Sequence, residues 1–548
     1  MELNFAAIHE AVAAAVPDRE CLVWGPRRLS WAEVTDRTRR LARYLHDRGL
    51  GVRRPAAELA PWESGQDHLA IYLHNGNEYL ECMVGAYKAR LAPFNVNYRY
   101  VAEELQYLLT DSAAKAIVFH SAFAPTLAEV LGELPRVEVL LQVADDSGNE
   151  LLPGARWYEE ALAVTPAELP AELSAGWSGD DLYIVYTGGT TGMPKGVLWR
   201  QADFLLAALG LRRKDGSEYE SYDEFAAAAP GSKLRALPAP PFMHGAGHWN
   251  AMSCWAAGGT IVLQDHPNRL DGADIWRTVE RERASSLLIV GDAFAVPLVD
   301  ELRRSPGAYD LSGLRFLMTG GAVLSAHLKA AFLELLPTVT VIDVLGSSET
   351  GRQGMQTSSA KTGASSGSFA PSANTVVLSE DLTQVLTPGH HEMGWIGQLG
   401  RCPRGYLGDQ AKTERTFPVI DGVRYAVPGD RGRWMDDGSI ELYGRDSVTI
   451  NSGGEKIFAE EVEQALRTHP AVYDVVVCGR PSSRWGNEVV AVVALRPDAA
   501  ADDDSLTDAA AQHIARYKLP KAYVYVEQVV RSPSGKADYR WAKEQVSA

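Results

Sequence analysis

Between Tyr186 and Val197 the chain reads Tyr-Thr-Gly-Gly-Thr-Thr-Gly-Met-Pro-Lys-Gly-Val. Gly188, Gly189 and Gly192 let a backbone curl and turn its N–H groups inward. Thr187, Thr190 and Thr191 add hydroxyl donors, and Lys195 adds a cation. Such a donor set cradles phosphate. A Walker A loop is excluded, because that motif needs Gly-Lys-Ser/Thr opening a helix, whereas Pro194 precedes Lys195 and Gly196 follows it. A plain surface loop is the alternative, and the density of donors argues against it. Alone, the segment speaks only of phosphate affinity.

The loop needs elements to hold it. Leu182-Tyr183-Ile184-Val185 is a short apolar run that predicts a buried strand leading into it. Ser30-Trp31-Ala32-Glu33 is a capping box, Val34, Leu41 and Leu45 follow near helical spacing, and Gly49 supplies the stop. Further strands are predicted at Ile71-Tyr72-Leu73, Ala116-Ile117-Val118, Thr260 to Leu263, Leu287 to Val290 and Val339 to Ile342, alternating with helical stretches. That alternation indicates an α/β domain with buried sheets. Arg212 to Lys233 and the Ser/Gly-rich Thr357 to Ser372 read as loops. Near residue 445 the pattern changes to a compact α+β unit: a helix at Lys456 to Arg467, strands at Val475-Val476-Val477 and Val489 to Val493, a helix at Leu506 to Ala515 and a strand at Tyr523 to Val526.

At 548 residues the chain is long enough for two or more domains, and 46% apolar with 22% charged residues describes a globular protein. A net charge of −17 argues against a nucleic-acid or anionic-membrane surface. Cys21, Cys82, Cys254, Cys402 and Cys478 are scattered, which disfavours a disulfide framework or a zinc site and fits a reducing cytoplasm. No signal peptide is evident at Met1-Glu2-Leu3-Asn4, and no apolar run is long enough to span a bilayer.

Six further segments follow the phosphate loop in order: Pro241-Phe242-Met243-His244-Gly245, Thr319-Gly320-Gly321-Ala322, Asp343 to Thr350, Tyr425 to Asp430 with Gly444-Arg445-Asp446, Asn451 to Lys456, and Ser532 to Lys536. Over nearly the whole chain this series resembles the adenylate-forming superfamily of acyl-CoA synthetases, luciferases and peptide-synthetase adenylation domains. Within it, residues 186–200, Ile450 to Lys456 and Arg531 to Lys543 look most like actinobacterial long-chain and steroid-side-chain acyl-CoA ligases. The resemblance implies a large N-terminal domain of packed α/β sheets with a β-barrel-like part, and a small mobile C-terminal α+β domain. We place these at residues 1–444 and 448–548, with a hinge at 445–447.

The chemistry explains the residue types. A carboxylate is a poor acyl donor until adenylation gives it AMP as leaving group, and that step brings two anions together. Cations must offset the repulsion in a site held away from bulk water. By resemblance, Thr187 to Lys195 would hold the β- and γ-phosphates, Glu349 with Thr190 would hold Mg²⁺, a hard cation suited to oxygen ligands, and Lys536 would bridge acid and nucleotide. Gly320, Gly321, Ala322 and Leu345 to Ser348 (Leu345, Gly346, Ser347, Ser348) would border adenine, and Asp343 could accept from its amino group. Asp430 would bind ribose. Arg445 would contact ribose or phosphate, or instead form an interdomain salt bridge. Gly453, Gly454 and Lys456 would face the thiol of CoA. His244 either borders the acyl pocket and gates the thiol or is a satisfied core histidine. Asp430 doubles as a turn former after Gly429.

Two departures from the family's usual residues stand out. Gly188 replaces a serine common in relatives. Leu345 replaces a tyrosine, so adenine would meet an aliphatic face and lose ~1 kcal/mol of stacking. The segment around His244 lacks the acid that anchors an amino-acid amine, while Phe242, Met243, Gly247 and Trp249 suggest an apolar acyl site. The sequence reading is thus an ATP- and Mg²⁺-dependent ligase joining an apolar acid, fatty or steroid-derived, to CoA. Its rivals are acyl transfer to a carrier protein in trans and a noncatalytic acyl-nucleotide binder. The oligomeric state, a homodimer included, stays open. The His390-His391 pair reads as loop polarity.

Overall fold

The apolar runs become the strands that carry the site. The structure, a computed structural model, describes every residue except Thr190, Thr191, Gly453, Gly454, Ser483, Arg484, Pro533, Ser534 and Ala548. Among the described residues the strands form three sheets. In the first, His68–Tyr72, Ala92–Asn95, Ala116–His120 and Val139–Val143 run parallel. The antiparallel hairpin Leu182–Gly189/Gly192–Arg200 extends it beside Ala92–Asn95. The second has a parallel part, in the order Glu20–Trp24, Thr260–Leu263, Arg235–Pro238, Ser286–Ile289, Phe316–Gly320 and Thr340–Ser347. From Gly351–Ser358 onward the pairing turns antiparallel, through Ser368–Pro371, Ile440–Arg445, Asp430–Trp434, Gly394–Leu399 and Thr375–Leu378. This antiparallel run stands where the barrel-like part was expected, and its pairing is continuous with the parallel sheet. The third sheet is the C-terminal unit: Thr449–Ser452, Glu455–Phe458, Val472–Ser482, Gly486–Leu495 and Ala522–Tyr525.

Burial drives the assembly of the first two sheets. Phe5, Trp31, Tyr79, Tyr87, Tyr183, Trp199 and Trp255 fill one cluster between them and are almost fully excluded from water. Truncating one such aromatic costs about 3–5 kcal/mol. The capping box forms as expected: Ser30 Oγ accepts from Glu33 N, and Glu33 accepts from Ser30 N at 2.7 Å, opening the helix Trp31–His46.

Several local expectations are corrected. The phosphate segment is not a free curl. Its backbone continues the strands, with Thr187 opposite Lys195 and Gly189 opposite Gly192. Arg212 to Lys233 contains the helix Tyr222–Ala228, and Thr357 to Ser372 contains the strand Ser368–Pro371. The helix expected from Lys456 is Ala459–Leu466, because Ile457 and Phe458 pair with Ile450 and Thr449 in a hairpin. Gly444 has φ +134°, and a Cβ there would lie 2.5 Å from Glu460 Oε2 on that helix. Glycine is therefore required where the large sheet hands over to the C-terminal unit.

Candidate active site

Five polypeptide segments meet at the C-terminal ends of the parallel strands, the usual ligand-binding edge of such sheets. The hairpin contributes Thr187 and Lys195. Lys195 Nζ lies 3.4 Å from Asp409 Oδ2. Burial disfavours its charge, but Tyr107, Asp111 and Asp409 outweigh that and raise its pKa. Lys195 is thus held charged beside the hairpin tip. Thr190 and Thr191 lie outside the described residues, so their expected phosphate and metal contacts have no structural counterpart here.

The turn Ser347 to Thr350 joins two antiparallel strands. A bulge after Leu345 lets Gly346 approach so closely that a Cβ would sit 2.1 Å from Gly351 O. Ser347 Oγ accepts from Glu349 N at 3.2 Å, and the Trp199 indole donates to Ser348 O at 2.8 Å. The hairpin and the Glu349 turn are therefore fixed to one another by a buried tryptophan. Glu349 Oε1 accepts from Tyr406 Oη at 2.9 Å, and burial together with Glu349 pushes the Tyr406 phenol far above its ordinary value.

Strand Phe316–Gly320 ends at the small residues Gly320, Gly321 and Ala322. Gly321 has φ +84°, and a Cβ there would lie 3.8 Å from Lys536 Cε, so the lysine reaches over this strand end. Two residues expected at adenine have protein partners in this structure. Instead of standing free for an amino group, Asp343 takes an ion pair with Lys329 at 2.8 Å, both side chains buried. Leu345 is buried and belongs to the same hydrophobic cluster as Phe369, Ile396 and Trp434. Lys329 also donates to Gln356 Oε1 at 2.6 Å and to Ser365 O at 2.9 Å. Lys329→Met leaves Asp343 buried without a counter-charge, which costs about 3–5 kcal/mol. The expected result is a lower denaturant midpoint for the large domain, followed by tryptophan fluorescence.

Asp430 and Arg445 face each other across adjacent strands, with Arg445 Nε 3.0 Å from Asp430 Oδ1. Asp430 and then Glu349 raise the Arg445 pKa further and keep it charged. Its partner is intrasheet, which corrects the alternative of an interdomain bridge. Lys536 arrives from the C-terminal unit. Its side chain reaches water, yet the dense protein around the cleft and the Arg445 guanidinium lower its pKa to about 8, with Glu349 and Asp430 opposing. Lys536, Arg445, Glu349 and Asp430 thus form one electrostatic group, two cations and two carboxylates drawn from distant parts of the chain.

His244 precedes the helix Gly245–Ala256. Burial, then Lys536, His248 and Arg99, lower it to about 3, and its Nε2 is buried without a hydrogen-bond partner. With Nε2 unpaired among the described residues, it is not a fully satisfied core histidine. The core role belongs to His248, which is fully buried between Phe242 O and Tyr183 Oη. Phe242 is also core, packed on Tyr79 with ring centroids 5.5 Å apart. Trp249, donating to Tyr183 Oη at 2.9 Å, and Met318, within 3.6 Å of Asn250 Nδ2, are half-buried along the same wall.

Lys456 pairs with Glu380 at 3.5 Å and Asp446 at 3.9 Å, not with the group around Lys536. Gly453 and Gly454 lie outside the described residues. His391 is exposed and 3.7 Å from Asp436, in keeping with loop polarity. Sequence reasoning missed Tyr406, Asp409, Lys329 and Trp199. Gly405-Tyr406-Leu407-Gly408-Asp409, an aromatic and an acid set among glycines, was the one local signal for the first two.

Comparison with known proteins places the chain in a family. The family described as "AMP-binding enzyme" matches residues 9–399, and "AMP-binding enzyme C-terminal domain" matches 461–536. The chain is 53% identical to the medium-chain acyl-CoA ligase Mig of Mycobacterium avium, over 98% of this chain and 97% of that one. It is 39% identical to a medium/long-chain-fatty-acid–CoA/3-oxocholest-4-en-26-oate–CoA ligase of Mycobacterium marinum, over 100% and 97%. The crystal structure of the anthranilate CoA ligase AuaEII with anthranoyl-AMP superposes with a TM-score of 0.81 at 20% identity, covering 100% of this chain and 98% of that one, which supports the fold.

Proposed function

We propose, for a chain that belongs to the AMP-binding enzyme family and is an ATP-dependent, AMP-forming acid–CoA ligase, that its acid is an apolar one, a medium- or long-chain fatty acid or a steroid side-chain acid, and that Lys536 and Glu349 carry its activation. The observation that carries the residue assignment is the convergence of Lys536, Arg445, Glu349 and Asp430 on the strand end at Gly321. Two cations there offset the repulsion between an approaching carboxylate and the α-phosphate. Lys536, bridging both, stabilises negative charge as it moves onto the bridging oxygens. Asp430 accepts from ribose hydroxyls, and Lys195 with the hairpin tip holds the leaving pyrophosphate.

Glu349 offers a hard carboxylate oxygen anchored by Tyr406, which fits Mg²⁺ held by one side chain and the polyphosphate. When bound, the ion would offset phosphate charge. The hinge at 445–447 then lets the unit at 448–548 turn, withdrawing Lys536 and bringing Gly454 to the acyl-adenylate for attack by the CoA thiol. His244, neutral and unpaired at the cleft wall, borders the thiol's path. Five free, buried cysteines suit a reducing cytoplasm.

The half-buried Trp249 and Met318 support an apolar acid, as do the names of the relatives. Decanoate, palmitate, a steroid side-chain acid and several amino acids, compared for acid-dependent AMP release, are expected to rank with the apolar acids first. An amino acid ranking first would overturn the substrate reading.

A further inference from the structure

We infer that Asp292 and Arg467 are positioning residues for adenylation, coupling the large domain to the Lys536 loop through a chain of ion pairs. The inference rests on the role proposed for Lys536. Arg467, at the end of helix Ala459–Leu466, places Nε 3.5 Å from Asp292 Oδ2, and both side chains are buried, 9% and 8% exposed. Asp292 stands in the first turn of helix Gly291–Arg304 of the large domain. On its other side Arg467 lies 3.7 Å from Asp474 Oδ1. Asp474 in turn takes Arg531 in a bidentate pair at 2.6 and 2.7 Å. Arg531 Nη1 donates to Gly535 O at 3.1 Å, the carbonyl immediately before Lys536.

A second contact closes the circuit. A Cβ on Gly535 would lie 3.1 Å from Val290 O and 3.3 Å from Ala293 Cβ, so the loop sits against the start of the same helix that carries Asp292. The Lys536 loop is thereby held to one helix end twice, by backbone contact and by the ion chain.

The Asp292–Arg467 contact is the weak joint. At 3.5 Å it is longer than a hydrogen bond, and among the described residues neither Asp292 Oδ2 nor Arg467 Nε has another hydrogen-bond partner. The Asp474–Arg531 pair lies wholly within the C-terminal unit and is short. Rotation of that unit would separate the long pair while keeping the short one. Breaking the long pair therefore removes a contact made only when Lys536 is in place, and it should slow the first half-reaction while sparing the second.

The test measures acid-dependent ATP–pyrophosphate exchange with decanoate, and thioester formation from synthetic decanoyl-AMP plus CoA, on the full chain. Asp292→Asn is nearly isosteric and keeps an oxygen for Ser325 N, which donates to Asp292 Oδ1 at 2.8 Å. Asp292→Asn and Arg467→Met are each expected to lower exchange about tenfold and leave thioester formation within about twofold, with Arg467→Lys recovering part of the exchange. Should Arg467→Met fail to fold, Asp292→Asn decides alone. Unchanged exchange, or equal losses in both halves, would overturn the positioning role. Lys536→Ala is run in parallel: inactive in exchange beside a fully active Asp292→Asn, it leaves the proposed function standing and the relay refuted. Active in exchange, it refutes both.

Discussion

Lys536→Ala is expected to lower acid-dependent ATP–pyrophosphate exchange by at least about a hundredfold while leaving thioester formation from pre-made acyl-adenylate at the wild-type rate. A positioned charge contact with both reacting anions is worth several kcal/mol in the transition state, and each 1.4 kcal/mol is about tenfold in rate. Lys536 has no assigned part in the second half-reaction, so the loss is one-sided. The same residue gives the exchange reaction a pH signature. Its pKa is lowered to about 8 by the dense protein around the cleft and by Arg445. The ammonium is present below that pH and lost as pH rises through it. kcat/KM for ATP in exchange, which reports the free enzyme, should therefore fall above about pH 8. A profile flat to pH 10 would contradict a lysine held in that electrostatic group, as would an Ala variant with both halves equally impaired.

Glu349→Ala is the second large effect. The carboxylate sits on a turn fixed by Ser347 and Trp199 and is oriented by Tyr406 at 2.9 Å. Removing it deletes the oxygen proposed to hold Mg²⁺ and one of the two carboxylates that favour the charged forms of Lys536 and Arg445. Turnover should drop about a hundredfold or more, and the Mg²⁺ concentration giving half-maximal rate should rise. Thermal unfolding should change little, because the side chain is only half-buried. Glu349→Gln keeps the shape and the acceptor for Tyr406 but not the charge, and should be nearly as slow. A Gln variant at full rate with unaltered Mg²⁺ demand would remove Glu349 from the activation step.

What the sequence made legible was local. The glycines and threonines at 187–192 and the glycines after Asn451 declare themselves by composition, and Gly321 because its φ of +84° favours glycine. The parallel strands were readable because burial on both faces leaves continuous apolar runs such as Leu287 to Val290. Other features depended on partners far along the chain. Nothing in the sequence signalled that Asp343 pairs with Lys329, or that Leu345 belongs to a buried cluster with Phe369 and Trp434. Ile457 and Phe458 fit a helix by pattern, yet the neighbouring strand Thr449–Ser452 pulls them into a hairpin. His244 and His248 are the same residue type four positions apart. Only packing separates them: His248 fills both ring nitrogens with Phe242 O and Tyr183, whereas His244 keeps Nε2 unpaired.

The account holds that the acid is activated first, as acyl-AMP, by the arrangement seen here, and that the thiol is needed only afterwards. Mixing enzyme with decanoate, Mg²⁺ and α-³²P-labelled ATP, with no CoA, and resolving the products over a single turnover tests this directly. The predicted result is a burst of labelled acyl-AMP and an equal amount of pyrophosphate, close to one per enzyme molecule. CoA added afterwards should convert the acyl-AMP to thioester and free AMP. Formation of ADP and inorganic phosphate, or no nucleotide product until CoA is present, would contradict it.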